Sequence, residues 1–297
     1  MGDSAELITY GAIFMLIAVA LAHQIETYKI GFIHESGLYI ILGLFGGSVW
    51  LLVGWNDNTE YSFSPDVFFD VILPPIIFTA AYTLKNKQFF NNFAPIMVLA
   101  IFGALLNFLM MAMIGVGLGS FGLEESEVML FAATMSATDG IAVVALIDAQ
   151  AYPTIFGTLI GEGCINDAVA IILYTSIDSL SSANTKFGFT LPDLGFMFLK
   201  VLEVGFLSII IGISVGLISA LYFKYIRHQA SCKVEITLIF LFGYLSYSIS
   251  DLLSFSGIIS VFFCGICMSH YTYHSLSRDT QHASKDAFES ISYMGET

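Results

Sequence analysis

Charged residues are scarce in this sequence: Asp, Glu, Lys and Arg make up only 11% of its 297 residues. A soluble domain carries roughly 25% charged residues, whereas hydrophobic residues reach 57% here and fall in long blocks. The shortage of charge therefore excludes a large soluble core and predicts an all-α polytopic membrane protein. The net charge is −14, and the absence of a basic patch argues against nucleic-acid binding.

Cysteine is also rare, and two of the four residues, Cys264 and Cys267, lie in an apolar segment. Their placement favours small residues at a helix-packing surface, and no disulfide framework follows from it. The candidate acidic residues described below are not accompanied by His or Cys at the spacing of a metal site or a nucleophile. A membrane-embedded enzyme is therefore the weakest hypothesis, and no cofactor is expected.

Nine apolar segments are close to the ~20 residues that a bilayer-spanning helix needs. They cover residues 8–25, 37–54, 67–83, 94–118, 127–148, 156–177, 194–223, 234–252 and 256–270. A tenth begins near Lys285, and the sequence ends inside it at Thr297. We expect a single transmembrane transporter domain over residues 1–297, with about nine full spans, the start of a tenth and no soluble domain.

The basic residues indicate how these segments are oriented. Eight of the ten Lys and Arg residues fall in the odd-numbered connections: Lys29, Lys85, Lys87, Lys224, Arg227, Lys233, Arg278 and Lys285. Cytoplasmic loops carry an excess of Lys and Arg, so we expect the odd connections in the cytoplasm and the N-terminus on the outer or luminal side. The choice between a plasma membrane and an organellar membrane stays open.

A proline pair, Pro74 and Pro75, lies in the middle of the third segment, within L-P-P-I-I-F at 73–78. Proline lacks a backbone N–H and kinks or unwinds a helix. At membrane depth such a break is tolerated only where protein or a water-filled cavity satisfies the freed carbonyl groups. The pair therefore predicts a structural kink or, together with Phe78, part of a transport pathway.

Two aspartates lie near the middle of consecutive apolar segments: Asp139 follows Thr138 in the fifth, and Asp167 follows Asn166 in the sixth. A carboxylate at the centre of a membrane segment is costly and indicates a functional site. Consecutive spans are antiparallel, so we expect the two aspartates to face each other in one midplane site. The structural alternatives are a capped kink at Asp139 and interhelical hydrogen bonding at Asn166 and Asp167.

The predicted midplane site is built from oxygen donors, because Ser136, Thr138 and Asn166 accompany the two aspartates. Such a set suits a hard monovalent cation, Na⁺ or K⁺. Desolvation favours the protonated form of a carboxylate, so a proton and a cation would compete for one group. Gly140 follows Asp139, and these residues predict a broken fifth helix of the kind that transporters use to hold ions.

Glu162 lies one turn before Asn166 and on the same face of the sixth segment. It is a candidate third ligand, or the partner of a basic residue, but residues 135–174 contain no Lys or Arg.

Two further charged positions carry simpler interpretations. Lys200 and Glu203 are three residues apart near the start of the seventh segment, which predicts an ion pair on one helix face. Glu235 stands beside Lys233 at the start of the eighth segment, and we interpret it as an interfacial charge.

The sequence resembles the sodium/proton exchanger family of monovalent cation/proton antiporters, especially its organellar members, over nearly its whole length. Phe68-Phe69 with L-P-P-I-I-F resembles the third-span motif of that family. Ser136-Ala137-Thr138-Asp139 resembles its unwound-helix motif, and Gly161-Glu162 with Asn166-Asp167-Ala168-Val169-Ala170 resembles its ion-site helix. Ser256-Gly257-Ile258 through His270-Tyr271-Thr272 is similar to a later signature span.

The resemblance implies an inverted-repeat fold, divided into a dimerisation domain and a mobile core, and electroneutral exchange of Na⁺ or K⁺ for H⁺ by alternating access. It implies that Asp167 is the carboxylate shared by proton and cation, that Thr138 and Asp139 shape the site, and that the protein is a homodimer.

The sequence departs from the family in two ways. Gly140 replaces the usual proline, and the sequence stops before a second unwound helix, which leaves the second repeat incomplete. The alternative expectation is therefore a truncated, non-transporting paralogue that serves as a structural subunit of a larger membrane complex.

Overall fold

The computed structural model describes residues 2–28, 35–52, 67–84, 90–119, 122–137, 151–183, 191–226 and 231–296. Its main helices are, in chain order, α1 (Gly2–Tyr28), α2 (Glu35–Leu52), α3 (Leu73–Thr83), α4 (Phe93–Gly117), α5 (Glu125–Ser136), α6 (Pro153–Ala183), α7 (Leu191–Ile226), α8 (Cys232–Leu252), α9 (Gly257–Cys267) and α10 (Arg278–Glu296). One π-helical turn, Phe68–Ile72, precedes α3, and another, Met268–Thr272, follows α9. Each of the nine predicted apolar segments overlaps one of the helices α1 to α9.

Within the described residues, four helices are long and apolar enough to cross a membrane: Phe93–Gly117, Thr154–Ser181, Leu194–Tyr225 and Cys232–Leu252. Large apolar side chains such as Leu106, Phe206 and Leu221 are mostly exposed on their outer faces, as expected for surfaces in contact with lipid. The protein is thus an all-α polytopic membrane protein, as its composition predicts. The number of spans stays a prediction, and the residue where we expected a tenth to start, Lys285, lies inside α10.

Helices α3 to α10 pack in two groups, and α1 contacts α2. The first group contains α4, α5 and α6, and the second contains α3, α7, α8, α9 and α10. Helix α9 is buried along its entire length and lies at the centre of the second group. Helix α7 contacts α9 in its own group and α6 in the first group, so it joins the two.

The proline pair begins α3 directly after a π-helical turn. The backbone N–H of Leu73 donates to the carbonyl of Phe68, five residues earlier, which is the wider bonding pattern of a π-helix. Pro74 and Pro75 occupy the first turn of α3, where a missing N–H breaks no intrahelical bond. The irregularity predicted at the prolines is therefore a π-helical turn just before them, and both rings are buried.

Helix α10 runs antiparallel along α3 and encloses Phe78 between them. The Phe78 ring stacks on Tyr82 at a centroid distance of 5.5 Å and meets Phe288 edge-to-face at 5.2 Å. Gly243 of α8 makes room for this ring, because a Cβ there would lie 2.7 Å from Phe78 Cδ2. Phe78 thus lies in the packed core of the second group, and its role in a pathway stays a prediction.

Glu235 is buried rather than interfacial, so the interpretation from its position beside Lys233 is wrong. Its side chain is 3% exposed, and Oε2 accepts hydrogen bonds from the Ser277 hydroxyl (2.9 Å) and the Ser277 backbone N–H (3.3 Å). Ser277 directly precedes α10, so this carboxylate stabilises a helix N-terminus, where N–H groups lack intrahelical partners. The ion pair predicted between Lys200 and Glu203 is confirmed, with Nζ and Oε2 3.4 Å apart.

Helices α7 and α9 approach closely at two glycines of α7. A Cβ on Gly212 would overlap the backbone carbonyl oxygen of Ser260, and a Cβ on Gly216 would lie 2.7 Å from Cβ of Cys267. The two glycines are four residues apart and share a face, as small residues do at helix contacts in membranes. Cys264 and Cys267 are free thiols at such contacts, which confirms their interpretation as packing residues.

The contact at Gly212 predicts a position-specific effect on stability. Substitution Gly212→Ala forces a methyl group against the backbone of α9, which cannot rotate away, so we expect a loss of about 1–3 kcal/mol. Gly195→Ala in the same helix is the matched control, because nothing lies within 4 Å of its Cβ position; this change should be neutral or stabilise by up to about 1 kcal/mol. Thermal unfolding of both variants in detergent micelles measures the difference, and equal midpoints would contradict the tight contact.

Candidate functional site

Helix α5 ends in the middle of the protein. Its 12 residues, Glu125–Ser136, rise about 18 Å at 1.5 Å per residue, which is little more than half of the ~30 Å hydrocarbon core. Ala137 is already extended, with φ −66° and ψ 118°. The helix therefore ends two residues before the break predicted at Thr138 and Asp139, which lie outside the described residues.

Side chains satisfy two backbone carbonyl groups in the last turn of α5. The Ser136 hydroxyl donates to the carbonyl of Ala133 at 2.7 Å. The carbonyl of Ser136 itself accepts from the Asn107 side-chain amide of α4, Nδ2 to O 3.4 Å. The end of a helix leaves its last carbonyl groups without intrahelical partners, and Ser136 is fully buried. These two bonds therefore stabilise a buried helix end.

One face of α6 carries polar side chains on three successive turns: Thr158, Glu162 and Asn166, each four residues after the last. All three line the same cavity, which confirms that Glu162 and Asn166 share a helix face. Asn166 is 1% exposed and lies deepest of the three along α6. Glu162, one turn away, is partly buried.

The cavity between α4, α5 and α6 has a volume of about 390 Å³. Its lining residues are Leu99, Gly103, Asn107, Ser136, Thr158, Leu159, Glu162 and Asn166. The lining supplies one carboxylate and four neutral oxygen-bearing side chains, and it contains no basic side chain among the described residues. A space of this polarity suits a small cation, because carboxylate, hydroxyl and amide oxygens are the ligands that hard cations prefer.

The structure brings some of the predicted site residues together and separates others. Ser136, Glu162 and Asn166 share the cavity. Asp167 follows Asn166 on α6 but is turned about 100° around the helix, is exposed and does not line the cavity. Its role, and the roles of Thr138 and Asp139, stay predictions. Pro74, Pro75 and Phe78 lie in the second group, in contact with α8 and α10 rather than with this cavity.

Two lining residues, Asn107 and Thr158, escaped the sequence analysis. Asn107 is the only polar side chain in the 25 residues of α4, and an isolated polar residue in a long apolar helix is a signal that sequence alone provides. Thr158 lies exactly one turn before Glu162, so it continues the face already assigned to Glu162 and Asn166. Neither is a carboxylate, and four of the five polar side chains in the cavity lining are neutral.

Comparison with known proteins shows which family of proteins this chain is related to. The family model described as "Sodium/hydrogen exchanger, transmembrane" matches residues 12–295. Sodium/hydrogen exchanger 1 of Oryza sativa subsp. japonica is 33% identical over 304 residues, which cover 99% of this chain and 56% of that protein. Sodium/hydrogen exchanger 2 of Arabidopsis thaliana is 33% identical over 99% of this chain and 54% of its own length. Sodium/hydrogen exchanger 8 of Homo sapiens is 31% identical, with 99% and 52% covered. The chain thus spans about half the length of these curated relatives.

The cavity predicts that Thr158 is accessible to water and that a position elsewhere on the same helix is not. We expect Thr158→Cys to react readily with a charged, membrane-impermeant thiol reagent, because the reactive thiolate forms only where water and ions have access. Thr175→Cys is the matched control: Thr175 is exposed on α6 outside the cavity lining and should react slowly. Labelling rates, corrected for the native cysteines in the unmodified protein, measure the difference. Equal rates at both positions would contradict a water-filled cavity.

Proposed function

This chain belongs to the sodium/hydrogen exchanger family, and we propose that the protein exchanges a monovalent cation, Na⁺ or K⁺, for a proton across its membrane. The observation that carries the proposal is the cavity between α4, α5 and α6, with Glu162 and four neutral oxygen-bearing side chains in its lining. We propose a transport site because carboxylate, hydroxyl and amide oxygens are the ligands that hard cations prefer.

The cavity attracts a cation and then replaces part of its hydration shell. Glu162 supplies negative charge, which concentrates cations in a cleft with low-dielectric walls. Ser136, Thr158 and Asn166 supply neutral oxygens, which coordinate a cation without binding it so tightly that release becomes slow. One charged ligand together with several neutral ligands therefore suits a cation that passes through the cavity better than one that stays bound.

Asp167 is the group that we assign to the exchange itself. It directly follows Asn166, whose side chain lines the cavity, and it is the carboxylate of the Asn166-Asp167 motif that the family resemblance identifies. Its side chain is exposed on α6 and does not line the cavity, and we propose that the ion reaches it from the cavity by way of the neighbouring Asn166. One carboxylate holds either a proton or a cation, so each turnover releases one and takes up the other, and the exchange is electroneutral.

Alternating access requires that the two helix groups move relative to each other. Between α4 and α6 of the first group and α7 and α9 of the second lies a small cavity of about 170 Å³, lined only by apolar side chains and Gly205. Movement along such an interface breaks no polar contacts within its lining. This supports a rocking or elevator-like motion of the first group against the second.

The distribution of basic residues supports an orientation for the site. Leu99 and Thr158 lie at the ends of α4 and α6 that follow the third and fifth connections, which the positive-inside rule assigns to the cytoplasm. The cavity would then extend from the cytoplasmic side toward Asn107, Ser136 and Asn166 at mid-membrane. The same rule supports an N-terminus on the outer or luminal side of a plasma or organellar membrane, and the family resemblance further supports a homodimer.

Asp167→Asn tests the proposal directly. An amide has nearly the same shape as a carboxylate but neither takes up a proton nor carries the charge that binds a cation, so we expect pH-dependent ²²Na⁺ and ⁸⁶Rb⁺ uptake into proteoliposomes to be abolished. Asp178→Asn is the matched control, with the same chemical change at an exposed position three turns further along α6, and it should retain uptake.

Two results would contradict the proposal in different ways. If uptake survives Asp167→Asn, Asp167 does not take part in the exchange. Absence of exchange by the unmodified protein, together with stable co-purification of unrelated subunits, would instead support the non-transporting structural subunit.

A further inference from the structure

Asn107 is the least expected polar group in the first helix group. It is the fifteenth of the 25 residues of α4, and every other residue of that helix is apolar, proline or glycine. A polar side chain at this depth is costly unless it forms hydrogen bonds, because the hydrocarbon core offers no water. Its side chain is partly buried and lines the cavity that we propose as the cation site.

The partner of Asn107 is a backbone group at the end of a half-length helix. Its Nδ2 donates to the carbonyl oxygen of Ser136, 3.4 Å away, and Ser136 is the last residue of α5. Beyond Ser136 the backbone is extended at Ala137 and leads to the Thr138-Asp139 pair. This hydrogen bond therefore connects α4 to the point at which the backbone of α5 leaves the helix.

Helices α4 and α5 also pack closely at the opposite end of their contact. There a Cβ on Gly115 would lie 2.5 Å from Cγ1 of Val128. Val128 lies near the start of α5 and Ser136 at its end, so the two contacts are about 12 Å apart along the helix axis. The Asn107 bond is thus a polar contact between α4 and α5 at the end where α5 stops, and it adds to the apolar packing of Ala132 and Ala133.

We infer that Asn107 is a positioning residue, which holds the Ser136 end of α5 against α4 and so determines the width of the cation cavity. The effect of Asn107 on transport rests on the proposed function, whereas its effect on the helix end does not. The acceptor is the backbone carbonyl of residue 136, which is present whatever the side chain there. The side chain at position 107 must therefore be the hydrogen-bond donor. Asn107 acts through Ser136 and the residues that follow it.

Two substitutions separate hydrogen bonding from space filling. Asn107→Leu keeps the branched shape and removes the donor, whereas Asn107→Gln keeps the amide donor on a longer side chain. If the donor matters, Gln should resemble the unmodified protein more closely than Leu does. If only apolar packing matters, that order reverses, because Leu fills the space and the longer Gln disturbs it.

In proteoliposomes we expect Asn107→Leu to raise the KM for Na⁺ by about two- to tenfold, the range that one hydrogen bond is worth, with a smaller change in maximal rate. Asn107→Gln should recover most of that change. Thr134→Val is the matched control: it removes a hydroxyl close to Ser136 that bonds only within α5, at an exposed position, and should leave the KM unchanged.

Hydrogen–deuterium exchange supplies a readout that does not depend on transport. We expect faster exchange of backbone amides in residues 129–137 for Asn107→Leu and near-native exchange for Asn107→Gln. Native-like KM and native-like exchange in Asn107→Leu would overturn the inference. If the unmodified protein transports no cation, the proposed function fails, whereas the exchange rates still decide whether Asn107 holds the helix end.

Discussion

The structure depends on one constraint: in a hydrocarbon environment, every backbone N–H and C=O group needs a partner within the protein. At several described helix ends, a side chain supplies that partner. Glu235 accepts from the N–H of Ser277 before α10, and the Ser208 hydroxyl accepts from the N–H of Ser256 before α9. At the end of α5, Asn107 and Ser136 satisfy carbonyl groups. Helix ends thus identify polar residues with a structural role.

The two helix groups meet this constraint differently, and the difference relates to what each group does. In the second group the helix ends and contacts lie inside packed protein. Helix α9 is buried along its whole length, and Gly212 and Gly216 allow it to approach α7 closely. Phe78 fills the space beside Gly243. This packing leaves little freedom for movement. The group is suited to be the rigid part of a transporter, against which another part moves.

In the first group the polar groups instead face a cavity large enough for ions and water. Glu162, Asn166 and Ser136 surround it together with Asn107, and the short helix α5 ends at its wall. Neutral oxygens outnumber carboxylates in the lining, which favours reversible coordination over tight binding. The proposed exchange at Asp167 therefore depends on the surrounding cavity lining as well as on one residue.

The sequence by itself determined the class of the protein, most of its helices and the stretch that carries the site. Long apolar blocks and scarce charge leave few alternatives to a bundle of membrane helices, and the spacing of Glu162 and Asn166 places them on one helix face wherever that helix packs. The prolines likewise indicated an irregular third segment, because their chemistry acts locally.

Only the tertiary structure decided which side chains meet. The sequence suggested that Glu235 is interfacial, yet its partner Ser277 is 42 residues away and only folding brings the two together. Asn107 gained its role because α4 packs against the end of α5, and Asp167 lies outside the cavity because one residue turns the side chain about 100° around α6. Periodicity defines a face of a helix, but it does not specify which helix that face contacts.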